Sequence, residues 1–314
     1  MLDSNKGNVY IDQAREGRNS FWRFIVTLMF IIALNIIVTT FLLGFSVYFY
    51  NTIDFREMPE WFVLIVGMLP FGATALGFWV AIRLFHLRSF HSLLTSAGSF
   101  RWRLVFLSAA VWIGLTVVSD IIMVLLRPGN VYWSFDAERF IPFLLVALAL
   151  VPIQAATEEL IFRGYLTQAF GLFRRGIWLA WIVPALLFGL LHGVNPEIEA
   201  FGFRTMMIYY IGMGLFLGWI TLKSKGLELA VGLHVANNLY ASLIVTFPES
   251  AIPSPALFSI REFDPNSGVI VFFLMVGAYM AFIFGFKPRY VLVSGVLIAL
   301  FLLVAGVPAA IPPY

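Results

Sequence analysis

Hydrophobic residues in this chain occur in long runs that are separated by short polar segments. The runs cover residues 24–49, 61–82, 104–126, 140–168, 177–193, 205–222, 227–247, 268–286 and 290–307. A helix needs roughly 17 to 25 consecutive apolar residues to cross a bilayer. The pattern therefore predicts an all-α fold, a polytopic transmembrane helix bundle of about eight to nine spans.

Composition supports an integral membrane protein. Apolar residues make up 61% of the chain and charged residues only 12%, whereas soluble domains average about 45 to 50% and 25%. The chain contains no cysteine, which excludes disulfides, thiol catalysis and cysteine-ligated metals. Any chemistry must come from histidine, carboxylate, hydroxyl or amide groups.

The basic residues between the hydrophobic runs predict the orientation of the bundle. Alternate connections carry most of them, and the exceptions on the opposite side are Arg56, Arg127, Arg139, Arg204 and Arg261. By the positive-inside rule the N-terminus is predicted to be cytoplasmic. The excess of positive charge is thus a topology signal. We therefore expect the lipid bilayer as a partner and do not expect a nucleic acid.

Residues 1–22 lack the features of a removable signal peptide, so we expect them to be retained.

The connections between the runs are too short to fold alone, so an active site must lie within the bundle. The longest, 248–267, contains four prolines and is predicted to be an exposed external loop. His86 and His91 lie beside a basic connection and are predicted to be ordinary residues of the membrane interface.

Three charged residues interrupt the fourth run. Glu158 and Glu159 are adjacent, and Arg163 follows four residues after Glu159. Each such charge at bilayer depth costs roughly 2.5 to 3.5 kcal/mol, so the group needs mutual pairing or a function. The helical spacing favours a pair between Glu159 and Arg163, which leaves Glu158 directed elsewhere.

Two histidines lie in other apolar runs at a similar depth. His192 ends the segment Phe188-Gly-Leu-Leu-His192, and His234 begins His234-Val-Ala-Asn-Asn238. Spacing of four puts His234 and Asn238 on one helical face. The turn between the fourth and fifth runs falls near 174–175, so antiparallel arms would bring Glu158 and His192 to the same level.

The order of these motifs on three separate helices resembles the CPBP family of intramembrane proteases, which includes the type II CAAX prenyl endopeptidases and bacteriocin-processing or immunity proteins. The residues that carry the resemblance are Glu158, Glu159, Arg163, Phe188, His192, His234 and Asn238. It covers roughly residues 138–247 and implies a catalytic helix core there. Residues 1–137 would form an N-terminal cytoplasmic segment with three accessory helices. Residues 248–314 would form an external loop with C-terminal transmembrane helices.

The resemblance implies peptide-bond hydrolysis by a water held between Glu158 and His192. Glu158 would be the general base, His234 and Asn238 would stabilise the oxyanion, and Glu159, Arg163 and Phe188 would support the structure. Glu158, His192 and His234 are also the ligand set of a catalytic zinc site, so zinc stays open as a cofactor. The surrounding glycines and valines provide no side-chain acceptor for the other histidine nitrogens, which favours the metal-free site. Backbone carbonyls and the other helices are the remaining sources of such an acceptor.

Other functions use the same residues. A transporter would bind an ion at this polar cluster, and a scaffold or immunity protein would keep the bundle without catalysis. The complete motif set favours an endopeptidase that cuts a membrane-associated peptide or protein in the cytoplasmic half of the membrane. We expect a multi-pass protein of a bacterial plasma membrane, with the active site facing the cytoplasm.

Overall fold

Long helices follow the hydrophobic runs of the sequence. The computed structural model describes residues 8–173 and 176–305. Its long helices are α1 (Phe21–Tyr50), α2 (Glu60–Leu84), α3 (Trp102–Leu126), α4 (Ala137–Gly171), α5 (Gly176–Leu191), α6 (Phe203–Ser224), α7 (Glu228–Leu243), α8 (Pro265–Phe284) and α9 (Pro288–Ala305). The predicted all-α bundle is confirmed. The predicted turn at 174–175 lies outside the described residues.

Helix length decides which of these elements can cross a membrane unaided. Seven of the described helices are long and apolar enough, α5 being counted together with the turn that continues it, as the 19-residue span Gly176–Val194. Helices α7 and α9 are the two that fall short. Helix α7 has 16 residues, or roughly 24 Å, against a hydrocarbon core of about 30 Å. It ends at Leu243 instead of continuing through the predicted run to 247. The chain is a multi-pass membrane protein, and the count of eight to nine spans stays a prediction.

Short elements connect the long helices. The helical ones are Val9–Asp12, Gln13–Glu16, Phe55–Glu57, His91–Leu94, His192–Val194 and Pro196–Phe201. Three strands form a small sheet in the order β1 (Val131–Trp133), β3 (Phe258–Ile260), β2 (Val245–Thr246), with β3 antiparallel to β1 and parallel to β2.

The sheet corrects the prediction for the loop at 248–267. This segment contains the central strand β3, and Ala256 within it is only 1% exposed. Its backbone is paired on both sides, with the connection after α3 and with the chain that leaves α7. An exposed loop was therefore the wrong prediction for part of this segment, because strand pairing between distant segments is not visible in a short proline-rich stretch.

Helix α7 packs within the bundle. It contacts α3 on one side and α4 on another, and α6 also packs against it. Most of its buried hydrophobic residues belong to the largest buried cluster, together with Phe162 of α4, Phe188 of α5, Leu217 of α6 and Tyr279 of α8. Helices α4, α5 and α7, which carry the candidate site, therefore share one core.

The chain before α1 and the connection after α2 are built into the bundle. Tyr10 is fully buried and its hydroxyl donates to the backbone oxygen of Arg163 at 3.2 Å. His86 is also fully buried, with ring Nε2 3.2 Å from the Thr27 hydroxyl and 3.0 Å from that of Tyr165. The prediction that His86 is an ordinary interfacial residue is therefore wrong, because α1 and α4 close over it.

Candidate active site

Glu158 and Glu159 lie at the point where helix α4 changes its hydrogen-bonding pattern. The α-helical part ends at Glu159 and continues as a π-helix over Leu160–Leu166. The backbone N–H and the hydroxyl of Thr167 both donate to the carbonyl of Phe162, five residues earlier. Such π-turns are rare and occur often at functional sites. Regular α-helix was predicted here, and the spacing of residues does not reveal the π-turn.

Glu159 and Arg163 form the ion pair that their spacing predicts. Their Oε1 and Nη1 atoms are 2.9 Å apart, and both side chains are almost fully buried. The guanidinium carbon lies 4.2 Å from the centre of the Phe188 ring. Phe188 thus adds a cation–π contact to a charge that has left water.

His234 joins the two glutamates. Its Nδ1 atom is 2.7 Å from Glu159 Oε1, and its Nε2 atom is 3.6 Å from Glu158 Oε2. A carboxylate can only accept, so Nδ1 carries the proton in this contact. Glu159 therefore binds both Arg163 and His234, and it sets the orientation of the imidazole.

Glu158 has a different set of neighbours. Its Oε1 atom accepts a hydrogen bond of 2.6 Å from Gln154, and Gln154 accepts one of 3.1 Å from Asn238. Glu158 Oε2 is buried and has no protein hydrogen-bond donor among the described residues. Gln154 was not among the predicted site residues, although its position four residues before Glu158 places both on one face of α4.

His192 lies at the end of α5, where the helix tightens into the turn His192–Val194. Its Nδ1 atom is 2.7 Å from the Phe188 carbonyl, which can only accept, so a neutral ring has an unprotonated Nε2. The ring stacks on Tyr210 with centroids 4.6 Å apart. The Phe188 ring lies 4.4 Å from the His192 ring and 6.1 Å from that of His234.

This arrangement bears on the zinc alternative. Both histidines have an Nδ1 acceptor, the backbone carbonyl of Phe188 for His192 and the side chain of Glu159 on another helix for His234. The lack of side-chain acceptors among the neighbouring glycines and valines therefore does not count against zinc. A zinc site also needs its ligands to converge at about 2.0 to 2.2 Å from one point. Within residues 8–173 and 176–305, no group of three His or acidic residues converges in this way, and no carboxylate oxygen lies within 4.0 Å of a His192 nitrogen. The described side chains do not form a zinc ligand set.

The site holds two acids, a permanent cation and a histidine in a low-dielectric setting. His234 Nε2, the ring nitrogen that Glu159 leaves free, faces the Glu158 carboxylate at 3.6 Å.

Comparison with known proteins gives the same result as the motifs. A family model described as type II CAAX prenyl endopeptidase Rce1-like matches residues 138–240. The uncharacterized protein YyaK of Bacillus subtilis strain 168 is 29% identical over 261 residues, which cover 80% of this chain and 87% of that protein. No solved structure matches the chain. Residues 138–240, which contain all three motifs, are therefore similar to the Rce1-like family of type II CAAX prenyl endopeptidases.

Proposed function

We propose that this protein is an intramembrane endopeptidase that hydrolyses a peptide bond in a membrane-associated protein or peptide. The Rce1-like match supports CAAX-type intramembrane proteolysis in general. The observation that carries the assignment of roles is the buried Glu158 Oε2 atom, which has no protein donor among the described residues while Oε1 accepts from Gln154. Glu159, in contrast, is engaged by Arg163 and His234. An acceptor held in this way is suited to bind and deprotonate a water.

In the proposed reaction, the water oxygen attacks the scissile carbonyl carbon and its proton passes to Glu158. His192, one of whose ring nitrogens is free of the Phe188 carbonyl, orients the same water. The carbon–nitrogen bond then breaks, and the proton on Glu158 passes to the leaving amine. The products are a new carboxylate and a new amine, so no other reactant is required.

The oxyanion would be stabilised by His234 and Asn238. The Nδ1 proton of His234 is used by Glu159, so a donor at Nε2 requires the doubly protonated ring. Asn238 has two amide hydrogens and gives one to Gln154, which leaves the other for the substrate. Each oxyanion donor of this kind typically contributes 10²- to 10³-fold to the rate.

The proposed substrate class follows from the position of the site. Glu158 lies within the membrane-scale helix Ala137–Gly171, so the scissile bond must enter the bundle from the bilayer or its edge. The distribution of lysine and arginine supports entry from the cytoplasmic half of a bacterial plasma membrane. Prenylated and unprenylated substrates both fit this description.

The test compares membrane proteomes by mass spectrometry in cells that produce wild type, Glu158→Gln or the control Glu60→Gln. Glu60 is a carboxylate paired with Arg139 at the start of α2. We expect a new cleaved terminus with wild type and with Glu60→Gln, and its loss with Glu158→Gln. The same terminus with Glu158→Gln would exclude Glu158 as the base. Identical proteomes with and without the wild-type protein would favour a scaffold or transporter.

A further inference from the structure

Helix α3 lies outside the segment that matches the family, yet it contacts α7 along its length. Arg101 at its start pairs with Glu228 at 2.8 Å, and Asp120 near its end accepts from the Tyr240 hydroxyl at 2.7 Å. A Cβ atom at Gly232 would overlap the backbone oxygen of Val105. The two helices therefore run parallel at close approach, and α7 carries both His234 and Asn238.

A continuous series of hydrogen bonds connects this interface to Glu158. The Trp112 indole N–H donates to Asn237 at 3.2 Å, and the Asn237 amide donates to Asn238 at 3.2 Å. Asn238 donates to Gln154 at 3.1 Å, and Gln154 donates to Glu158 at 2.6 Å. Each amide in this series accepts through its oxygen and donates through its nitrogen. We call these five residues the amide relay.

The two ends of the amide relay fix its direction. An indole N–H can only donate, and an ionised carboxylate can only accept. A side-chain amide can turn over and exchange its oxygen and nitrogen, but here any single turn would place two donors or two acceptors against each other. The cost of such a mismatch in a buried site is about 1–3 kcal/mol. The side-chain amides of Asn237, Asn238 and Gln154 are therefore each held in a single orientation.

We propose that Trp112 and Asn237 are positioning residues for the hydrolysis, and that they act through the amide relay. This inference rests on the proposed function. The direction of the relay keeps the nitrogen of Asn238 toward Gln154 and the site, so that its second hydrogen can meet an oxyanion. It also commits Glu158 Oε1 to Gln154 and leaves Oε2 for the water. Neither Trp112 nor Asn237 touches the substrate.

The kinetic test uses Trp112→Phe, which keeps an aromatic ring next to Phe216 and Tyr279 but removes the donor. Its matched control is Trp181→Phe, because the Trp181 indole donates at 2.7 Å to the backbone oxygen of Leu215, outside the relay. With a farnesylated, internally quenched CAAX peptide in detergent micelles, we expect kcat of Trp112→Phe to fall roughly 3- to 10-fold with KM unchanged. Trp181→Phe should keep both constants. Equal kcat in the two variants would overturn the proposal.

A second variant guards against a packing effect at Trp112. Asn237→Asp has nearly the same shape and can still accept from Trp112, but its carboxylate cannot donate to Asn238. We expect a similar fall in kcat. The double variant Trp112→Phe with Asn237→Asp should have a kcat no lower than that of the more impaired single variant. Multiplied losses in the double variant would show that the two residues act independently, which would contradict the relay.

A spectroscopic arm separates this inference from the proposed function. In protein with ¹⁵N-labelled tryptophan, the Trp112 indole resonance is identified by its loss in Trp112→Phe. We expect Gln154→Met, three hydrogen bonds away from Trp112 in the relay, to shift this resonance and to leave that of Trp181 in place. An unmoved Trp112 resonance would overturn the relay whether or not the protein is a protease. A shifted resonance without peptide hydrolysis would support the relay and count against the proposed function.

Discussion

The His234 Nδ1 atom lies 2.7 Å from Glu159 Oε1, the same oxygen that accepts from Arg163 at 2.9 Å. Glu159 was predicted from the sequence to pair with Arg163 and to fix the helix. The structure gives it a second contact, with the histidine that faces Glu158. Stability and the orientation of His234 therefore depend on one buried carboxylate.

The first prediction concerns Glu159→Gln. This change removes the negative charge from a fully buried pair. Among the described residues, Arg163 then has no carboxylate oxygen within 4.0 Å. Breaking a buried pair typically costs about 3–5 kcal/mol, and His234 also loses its charged acceptor. We expect a lower apparent melting temperature in detergent, and a lower kcat in the fraction that stays folded.

The control for this prediction is Glu228→Gln. Glu228 is fully buried, but its partner Arg101 is 34% exposed, so water can compensate the arginine. A smaller loss of thermal stability is expected there. Equal losses in the two variants would mean that burial of the cation does not decide the cost at Glu159.

The second prediction concerns zinc. Because the described His and Glu side chains do not converge as a zinc ligand set, we expect purified active protein to keep its activity after treatment with a chelator. Metal analysis of the same sample should find zinc well below one ion per chain. Stoichiometric zinc, with activity lost on chelation and restored by zinc, would establish a metalloprotease and a rearranged site.

The third prediction concerns topology. Reporter fusions after Arg175 and after Lys225 should give a cytoplasmic signal, and a fusion at Ser254 should give the opposite one. Because α7 has only 16 residues, it is the helix on which this outcome depends. Finding Lys225 and Ser254 on the same side would show that α7 enters the membrane without crossing it.

The fourth prediction is a dependence of stability on pH. Burial, with a smaller contribution from the Arg88 charge, lowers the pKa of His86 from 6.5 to about 4. Between these values the unfolded chain binds a proton that the folded protein does not, so the free energy of unfolding should decrease as pH falls from 6.5 through about 4. The apparent melting temperature, measured at a series of pH values in one detergent, checks this.

The variant His86→Gln should show a weaker pH dependence over this range, because it removes the titrating ring. His91→Gln, in the same connection, is the matched control and should retain the dependence of the wild type. An apparent melting temperature that does not change between pH 6.5 and 4 in the wild type would contradict the lowered pKa of His86.

Much of the fold was predictable because membrane helices have a strong local signal. The hydrophobic runs gave the long helices, and spacing of four gave the contact between Glu159 and Arg163. The contact between His234 and Glu159 was not predictable, since it depends on how α7 is rotated against α4. The burial of His86 depends on Thr27 and Tyr165, which are distant in sequence. Gln154 could have been found, because it precedes Glu158 by one helical turn.

The π-helix over Leu160–Leu166 has a consequence for the length of the chain. A wider turn accommodates one more residue than an α-turn over the same distance, so removing a residue between Glu159 and Thr167 would restore regular spacing. Helix α4 after Thr167 would keep its direction, because the lost residue is the one that the wider turn accommodates. The side chains inside the turn would change direction, among them Tyr165, whose hydroxyl now lies 3.0 Å from His86. A relative with one residue fewer between Glu159 and Thr167 is therefore expected to have a regular α-helix here and to lack this contact.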